Sequence, residues 1–103
     1  MKKESQPLDR QQLLINLYTQ YLFGEITLGQ LLSYLRKNVL GLSQEKYAAM
    51  VGISRRTLTD IEQDKGQLTQ VVLDKVFKPL GLKAGLVPTH EHIVHKIIQP
   101  SSD

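Results

Sequence analysis

The sequence predicts an all-α protein with five helices, because one local signal occurs five times along the chain. Each time, an apolar residue precedes a Ser, Thr or Asp, and a second apolar residue follows four positions later. This pattern is typical of a helix N-cap and its hydrophobic staple. Leucines also recur at the spacing of one helical face. Before Gly81, no segment alternates between polar and apolar residues over the length of a strand.

The N-caps set the order of the helices. They are Asp9, Thr27, Ser43, Ser54 and Thr69. The predicted helices cover residues 9–23, 28–38, 44–51, 55–63 and 70–78. Gln12 and Gln30 stand three positions after their caps, where they would complete capping boxes. Pro79 and Gly81 suit the end of the fifth helix, since proline interrupts a helix and glycine accepts the conformation that follows one.

Length and composition limit the number of domains and the class of partner. A chain of 103 residues can hold one compact core. We expect a domain of residues 27–81, an N-terminal helical extension, 1–26, and a C-terminal tail, 82–103. The chain has no cysteine, which excludes disulfides and thiolate zinc sites. No segment is typical of a membrane span or signal peptide, so we expect a cytoplasmic protein. The net charge of +3 favours an acidic partner such as nucleic acid.

The pattern of caps and apolar residues in 42–63 predicts two short helices that cross closely. Gly52 lies between them and can adopt the positive φ of a sharp turn, while Ala48 is small enough for a close crossing. This geometry is typical of a helix-turn-helix. The second helix begins with Arg55 and Arg56, although positive charge at a helix N-terminus costs about 0.3–1 kcal/mol. Contact with a polyanion would reverse that cost, so the two arginines predict DNA binding.

Residues 28–82 resemble the helix-turn-helix family of phage repressors, Cro proteins and xenobiotic-response regulators through the pattern LGQLLSYLRKNVLGLSQEKYAAMVGISRRTLTDIE. The resemblance implies that Gln44 binds a phosphate, and that the first turns of the recognition helix reach phosphates and base edges. It also implies a structural brace between Lys37 and Glu62. Tyr47 departs from the family pattern, which usually has leucine there. The predicted DNA-binding residues are Ser43, Gln44, Ser54, Arg55, Arg56, Thr57, Thr59 and Gln63.

The tail begins with LKAGLVPT, residues 82–89, which is short, apolar and typical of an edge strand because it reaches a proline. A lone strand needs a partner, and the symmetric solution is the same strand of a second subunit. The predicted homodimer interface is Leu82, Ala84, Leu86 and Val87. The N-terminal helix, with Leu14, Tyr18 and Tyr21, is the alternative interface. With this predicted strand-mediated dimer, the chain also resembles HipB-type antitoxins, although more loosely.

These observations predict a sequence-specific transcriptional repressor that binds operator DNA, and the looser resemblance implies an autoregulatory antitoxin of a toxin–antitoxin operon. Two alternatives remain: an interaction module that holds a toxin such as a HipA-like kinase through the wide apolar face of the first helix, and a phage-type repressor without a toxin. An enzyme is not expected, because the chain lacks a cysteine nucleophile and a phosphate-cradling glycine loop. No carboxylate or thiolate cluster completes a metal site around His90, His92 and His95, so neither metal nor cofactor is predicted.

Overall fold

The computed structural model describes residues 7–99, which form six α-helices and no strand. The helices are α1 (Pro7–Leu22), α2 (Leu28–Leu35), α3 (Gln44–Val51), α4 (Arg55–Glu62), α5 (Gln70–Phe77) and α6 (Glu91–Ile98). A π-helical turn, Arg36–Leu40, extends α2, and a 3₁₀ turn, Lys78–Leu80, extends α5. The predicted all-α class is confirmed. The first five helices lie where the sequence places them, whereas α6 was not predicted.

Four of the five predicted N-caps are confirmed. The hydroxyl oxygens of Thr27, Ser43, Ser54 and Thr69 each accept a hydrogen bond from the backbone N–H three residues later. The predicted cap at Asp9 is wrong, since α1 already begins at Pro7. Asp9 lies in the first turn instead, where its charge favours the helix dipole.

The hydrophobic core is built between α2, α3, α4 and α5, and α1 covers it. Its fully buried side chains include Leu31, Leu32, Leu35, Tyr47, Leu58, Ile61 and Val76. The apolar face of α1 packs on this core through Leu13, Leu14, Leu17, Tyr18 and Tyr21. That face was an alternative site for a toxin or a second subunit. The core covers Leu17 fully and the other four side chains in part, so α1 packs as part of the domain.

The start of α2 is locked to the end of α4. Gly29 lies so close to α4 that a Cβ atom on it would approach the backbone oxygens of Ile61 and Glu62 to 2.5 and 2.6 Å. Just after α4, Asp64 adopts a positive φ of 58°. Its carboxylate accepts hydrogen bonds from the Thr27 hydroxyl, at 2.5 Å, and from the Gly29 N–H, at 2.9 Å. This contact sets the position of α4 on the domain.

The predicted C-terminal strand does not form within the single chain that the structure describes. Residues 82–88 have no regular secondary structure. Leu82 packs against the core, and the Ala84 N–H donates to the Asp74 carboxylate at 2.8 Å, so this backbone is held by α5. In contrast, Leu86 is fully exposed. The segment therefore runs over the domain as a tether.

The tether leads to α6, which docks on the corner between α1 and α2. Val94 is buried, and the His95 ring stacks on Phe23 with centroids 4.1 Å apart. The rings of His90 and His92 lie 5.6 Å apart. Within residues 7–99, no group of three or more His, Cys, Asp or Glu side chains is arranged to hold a metal ion. The three histidines thus contact aromatic rings, and His95 attaches α6 to Phe23, directly after the end of α1.

Candidate nucleic-acid interface

A three-residue turn joins α3 and α4. Gly52 ends α3 with a φ of 80°, and the N–H groups of Gly52 and Ile53 both donate to the Ala48 carbonyl, at 2.9 and 3.0 Å. Ala48 is buried at the crossing. Glycine is favoured here because a side chain would be strained at this φ. The predicted turn is confirmed, and it leaves the N-terminus of α4 exposed to solvent.

Tyr47 attaches α3 to α5. Its ring is fully buried, and its hydroxyl donates to the Val76 carbonyl. The last carbonyls of a helix have no partner within the helix, so the phenol satisfies one that would otherwise be buried alone. Burial, reinforced by the nearby Glu62 carboxylate, raises the pKa of Tyr47 to about 12. The tyrosine that departs from the family pattern therefore has a structural role that a leucine could not fill.

This raised pKa predicts a loss of stability in alkali. In the unfolded chain a tyrosine ionises near pH 10, so between about pH 10 and 12 the unfolded state releases a proton that the native state keeps. The free energy of unfolding should fall through this window by up to about 2–3 kcal/mol on account of Tyr47. Urea denaturation at neutral pH and at about pH 11 measures this loss. Tyr47→Phe should show a smaller loss, and an equal loss would contradict the assignment.

A buried ion pair fixes α4 to the end of α2. Arg36 Nε donates to Glu62 Oε2 at 2.6 Å, and Arg36 Nη2 donates to Glu62 Oε1 at 3.0 Å. The two side chains are 5% and 6% exposed. Arg36 Nη1 also donates to the Leu42 carbonyl at 2.7 Å, which holds the loop before α3. This geometry is the bidentate fork that arginine forms with a carboxylate.

The predicted brace between Lys37 and Glu62 is therefore wrong by one position. Arg36 follows Leu32 by four residues and continues the buried face of α2, which packs on α4. Lys37 lies on the exposed side of the π-helical turn. Glu62 pairs with the basic residue on the buried face, because only that side chain reaches it.

Gln44 connects the ion pair to the middle of α4. Its Nε2 donates to Glu62 Oε1 at 2.9 Å, and its Oε1 accepts from the Thr59 hydroxyl at 3.3 Å. Both ends of the amide are thus engaged, at the first residue of α3. The chain of contacts from Arg36 through Glu62 and Gln44 to Thr59 sets the rotation of α4 relative to α3.

A polar cleft of about 410 Å³ opens beside this network. It is lined by Arg36, Lys37, Ser43, Gln44, Glu45, Arg55 and Glu62. Arg36 and Glu62 neutralise each other, so the remaining charges are those of Lys37 and Arg55 against Glu45. The N-terminus of α3 also faces this cleft through Ser43, and helix N-termini favour anions. The cleft is thus suited to a phosphate group.

Comparison with known proteins agrees with this geometry. A family model described as Helix-turn-helix matches residues 32–86, just over half of the chain. The chain belongs to the Cro/C1-type helix-turn-helix family. Members of this family are DNA-binding regulators. No curated protein and no solved structure matches the chain significantly. Among the described helices of this family member, none has the length and apolar character needed to cross a membrane.

In helix-turn-helix terms, α4 is the recognition helix, and its N-cap and first turn carry four of the eight predicted DNA-binding residues. Arg55 and Arg56 are exposed in its first turn. No carboxylate within residues 7–99 forms a salt bridge with either of them. The Ser54 hydroxyl caps the helix and donates to Thr57 Oγ1 at 2.9 Å, so these two side chains are partly engaged.

Five of the predicted site residues divide into two groups by their position relative to the polar cleft. Ser43, Gln44 and Arg55 meet at the polar cleft, and Thr59 joins them through its hydrogen bond to Gln44. Gln63 is exposed at the far end of the recognition helix, outside the cleft. A helix that meets DNA through its N-terminus would bring the first group closer to the duplex than Gln63.

The sequence prediction missed two residues that position the recognition helix, Arg36 and Asp64. Arg36 had a signal, since it extends the Leu28, Leu32 spacing by one further turn. Asp64 had none in its own segment, because its partners lie more than thirty residues away at the start of α2. In this helix-turn-helix domain, both residues act by holding α4 in place.

Proposed function

We propose that this DNA-binding regulator is a transcriptional repressor that binds operator DNA through α4. The observation that carries the proposal is the pair of exposed arginines, Arg55 and Arg56, in the first turn of a helix whose position is set by buried contacts. Positive charge there is unfavourable unless an anion is bound, and each side chain is free to form a bidentate contact with guanine or a phosphate. Operator binding would place the protein with DNA in the cytoplasm.

The double variant Arg55→Ala/Arg56→Ala tests the proposal. It should keep its helical circular dichroism and melting temperature, because neither side chain is buried. Affinity for the protein's own promoter should fall by about 1–3 kcal/mol for each base that the variant no longer reads. Gel-shift titration at fixed salt measures the decrease.

A matched control removes two charges elsewhere. Lys75 and Lys96 are exposed on α5 and α6 and do not line the polar cleft. Lys75→Ala/Lys96→Ala should weaken binding much less than the arginine variant. If the two double variants lost promoter affinity equally, the loss would follow from net charge alone, and α4 would be refuted as the recognition element.

We further propose that the repressor acts as a homodimer. One recognition helix reads few base pairs, so two half-sites about 34 Å apart would be needed for useful specificity. The tether between α5 and α6 supports an interface there, since Leu86 is fully exposed and Val87 is more than a third exposed. Leu86→Ser/Val87→Ser should shift sedimentation at micromolar concentration towards the monomer. A wild-type chain that is already monomeric would contradict this proposal.

The finer proposal is an autoregulatory antitoxin. It rests on the looser resemblance to HipB-type antitoxins, with a HipA-like kinase as the partner, whereas a phage-type repressor would need no toxin. Co-expression with the product of the adjacent reading frame tests this role. Relief of a growth arrest that this product causes, together with tighter promoter binding by the pair, is expected. If the adjacent product is harmless alone, the antitoxin role is refuted.

A further inference from the structure

A second cavity, of about 160 Å³, lies between the added helix α1, the core helices α2 and α5, and the tether. Its walls are formed by Tyr18, Tyr21, Leu28, Leu31, Leu73 and Phe77, and by residues 82–87. It shares no lining residue with the polar cleft. A molecule bound here would therefore leave the recognition face free.

The volume of this cavity, which is half-open to solvent and lined mainly by apolar atoms, limits what can be buried in it. An apolar cavity of about 150 Å³ in a protein core holds one benzene molecule. An α-helix with its side chains is about 10 Å across, which is far too wide for this space. The cavity is therefore suited to a single ring or a short branched chain, and not to a helix of a protein partner.

Polar groups in the wall add a chemical preference. The Tyr18 and Tyr21 rings are 6.1 Å apart, and neither hydroxyl forms a hydrogen bond with another described residue. Burial, together with Tyr18, raises the pKa of Tyr21, so its hydroxyl remains a neutral donor. Lys83 in the tether adds a positive charge at the wall. Two free donors and a cation favour an acceptor that carries negative charge.

We propose that this cavity binds a small aromatic carboxylate, about the size of benzoate. The ring would occupy the space between α2 and α5, and the carboxylate would accept hydrogen bonds from Tyr21 and Lys83. This inference goes beyond DNA binding and does not depend on it. Of the two residues that would bind the carboxylate, Tyr21 lies before the matched residues 32–86 and Lys83 lies within them.

Titration of the full ¹⁵N-labelled chain with benzoate tests the proposal by NMR. Saturable shifts of the amides of residues 83–87 are expected, with no shift in the first turn of α4. Two matched probes test the specificity of the cavity. Acetate has the carboxylate without the ring, and 2-naphthoate has a ring system that is larger than the cavity is proposed to hold. Both should bind at least about tenfold more weakly than benzoate, which corresponds to about 1.4 kcal/mol. No saturable shift, or equal shifts with acetate, would overturn the proposal.

Two conservative variants separate the wall chemistry from folding. Tyr21→Phe keeps the ring, and Lys83→Gln removes an exposed charge. Each should weaken benzoate binding roughly three- to tenfold, as expected when one hydrogen bond or one charge is removed. Lys75→Gln, outside the cavity, is the control and should bind benzoate normally. Unchanged binding in both wall variants would refute the site.

A second copy of the chain is the competing occupant, since an exposed Leu86 could enter the cavity of a partner. Benzoate titration of Leu86→Ser, with sedimentation in parallel, decides between them. The proposal requires that benzoate already binds the wild type at the concentration used for sedimentation; Leu86→Ser is expected to bind it more weakly, because Leu86 lines the cavity. If benzoate binds only after Leu86 is replaced and the dimer dissociates, the cavity belongs to the subunit interface and the proposal fails.

Discussion

Replacement of Arg36 by methionine is expected to destabilise the protein by about 3–5 kcal/mol, because it leaves the Glu62 carboxylate buried without its partner. Both side chains are almost fully buried, and Arg36 makes three hydrogen bonds through its guanidinium group. At about 4–8 °C per kcal/mol for a domain of this size, the melting temperature should fall by at least about 12 °C. Thermal and urea denaturation measure the change.

Lys37→Met is the matched control, with the same substitution one position later. Lys37 is exposed, so its stability should change by no more than about 0.5 kcal/mol. The double variant Arg36→Met/Glu62→Leu should regain much of the stability, since an apolar pair avoids the uncompensated charge. If Arg36→Met and Lys37→Met were equally stable, the ion pair would not be the brace of this fold.

Gly29→Ala is expected to destabilise the domain by about 1–3 kcal/mol and to weaken operator binding at the same time. Alanine gains up to about 1 kcal/mol over glycine in a helix, which acts in the opposite direction. The steric term should prevail, because the new Cβ would meet backbone oxygens of Ile61 and Glu62, at 2.5 and 2.6 Å. These backbone oxygens cannot rotate away from the new Cβ as the end of a side chain could, so α4 itself must move.

Gly85→Ala is the control for this experiment. Gly85 has ordinary φ and no atom within 4 Å of an added Cβ. It should leave stability unchanged or raise it by up to about 1 kcal/mol, through the unfolded state. Urea denaturation and gel-shift titration of both variants measure the contrast. A Gly29→Ala protein as stable as the wild type would mean that α2 and α4 can separate without cost.

Local signals made much of the architecture predictable from sequence. A cap is a contact between residues three positions apart, so Thr27, Ser43, Ser54 and Thr69 could be identified without the fold. Gly52 was predictable for the same reason, because a turn is a property of its own backbone. The sixth helix also has a local signal in the spacing of its apolar residues, but it lacks the side-chain cap that marks α2, α3, α4 and α5.

Contacts between segments that are distant in sequence could not be predicted from local signals. The choice between Arg36 and Lys37 as the partner of Glu62 depends on which face of α2 packs on α4, and two adjacent basic residues differ by about 100° around a helix. The contact of Asp64 with Thr27 and the close approach at Gly29 join residues more than thirty positions apart. Neither leaves a periodic pattern in either segment.

The sequence by itself determined the helical class, the position of the helix-turn-helix and the exposed arginines at the start of α4. The tertiary structure alone decided how α4 is held and what the C-terminal tail becomes. Caps and turns are stabilised within a few residues, whereas the Arg36–Glu62 pair is stable only when packing removes both groups from water. Within the chain the tether is held by Asp74 of α5, which accepts the Ala84 N–H, and by the core, which packs Leu82, and both partners appear only once the domain has folded.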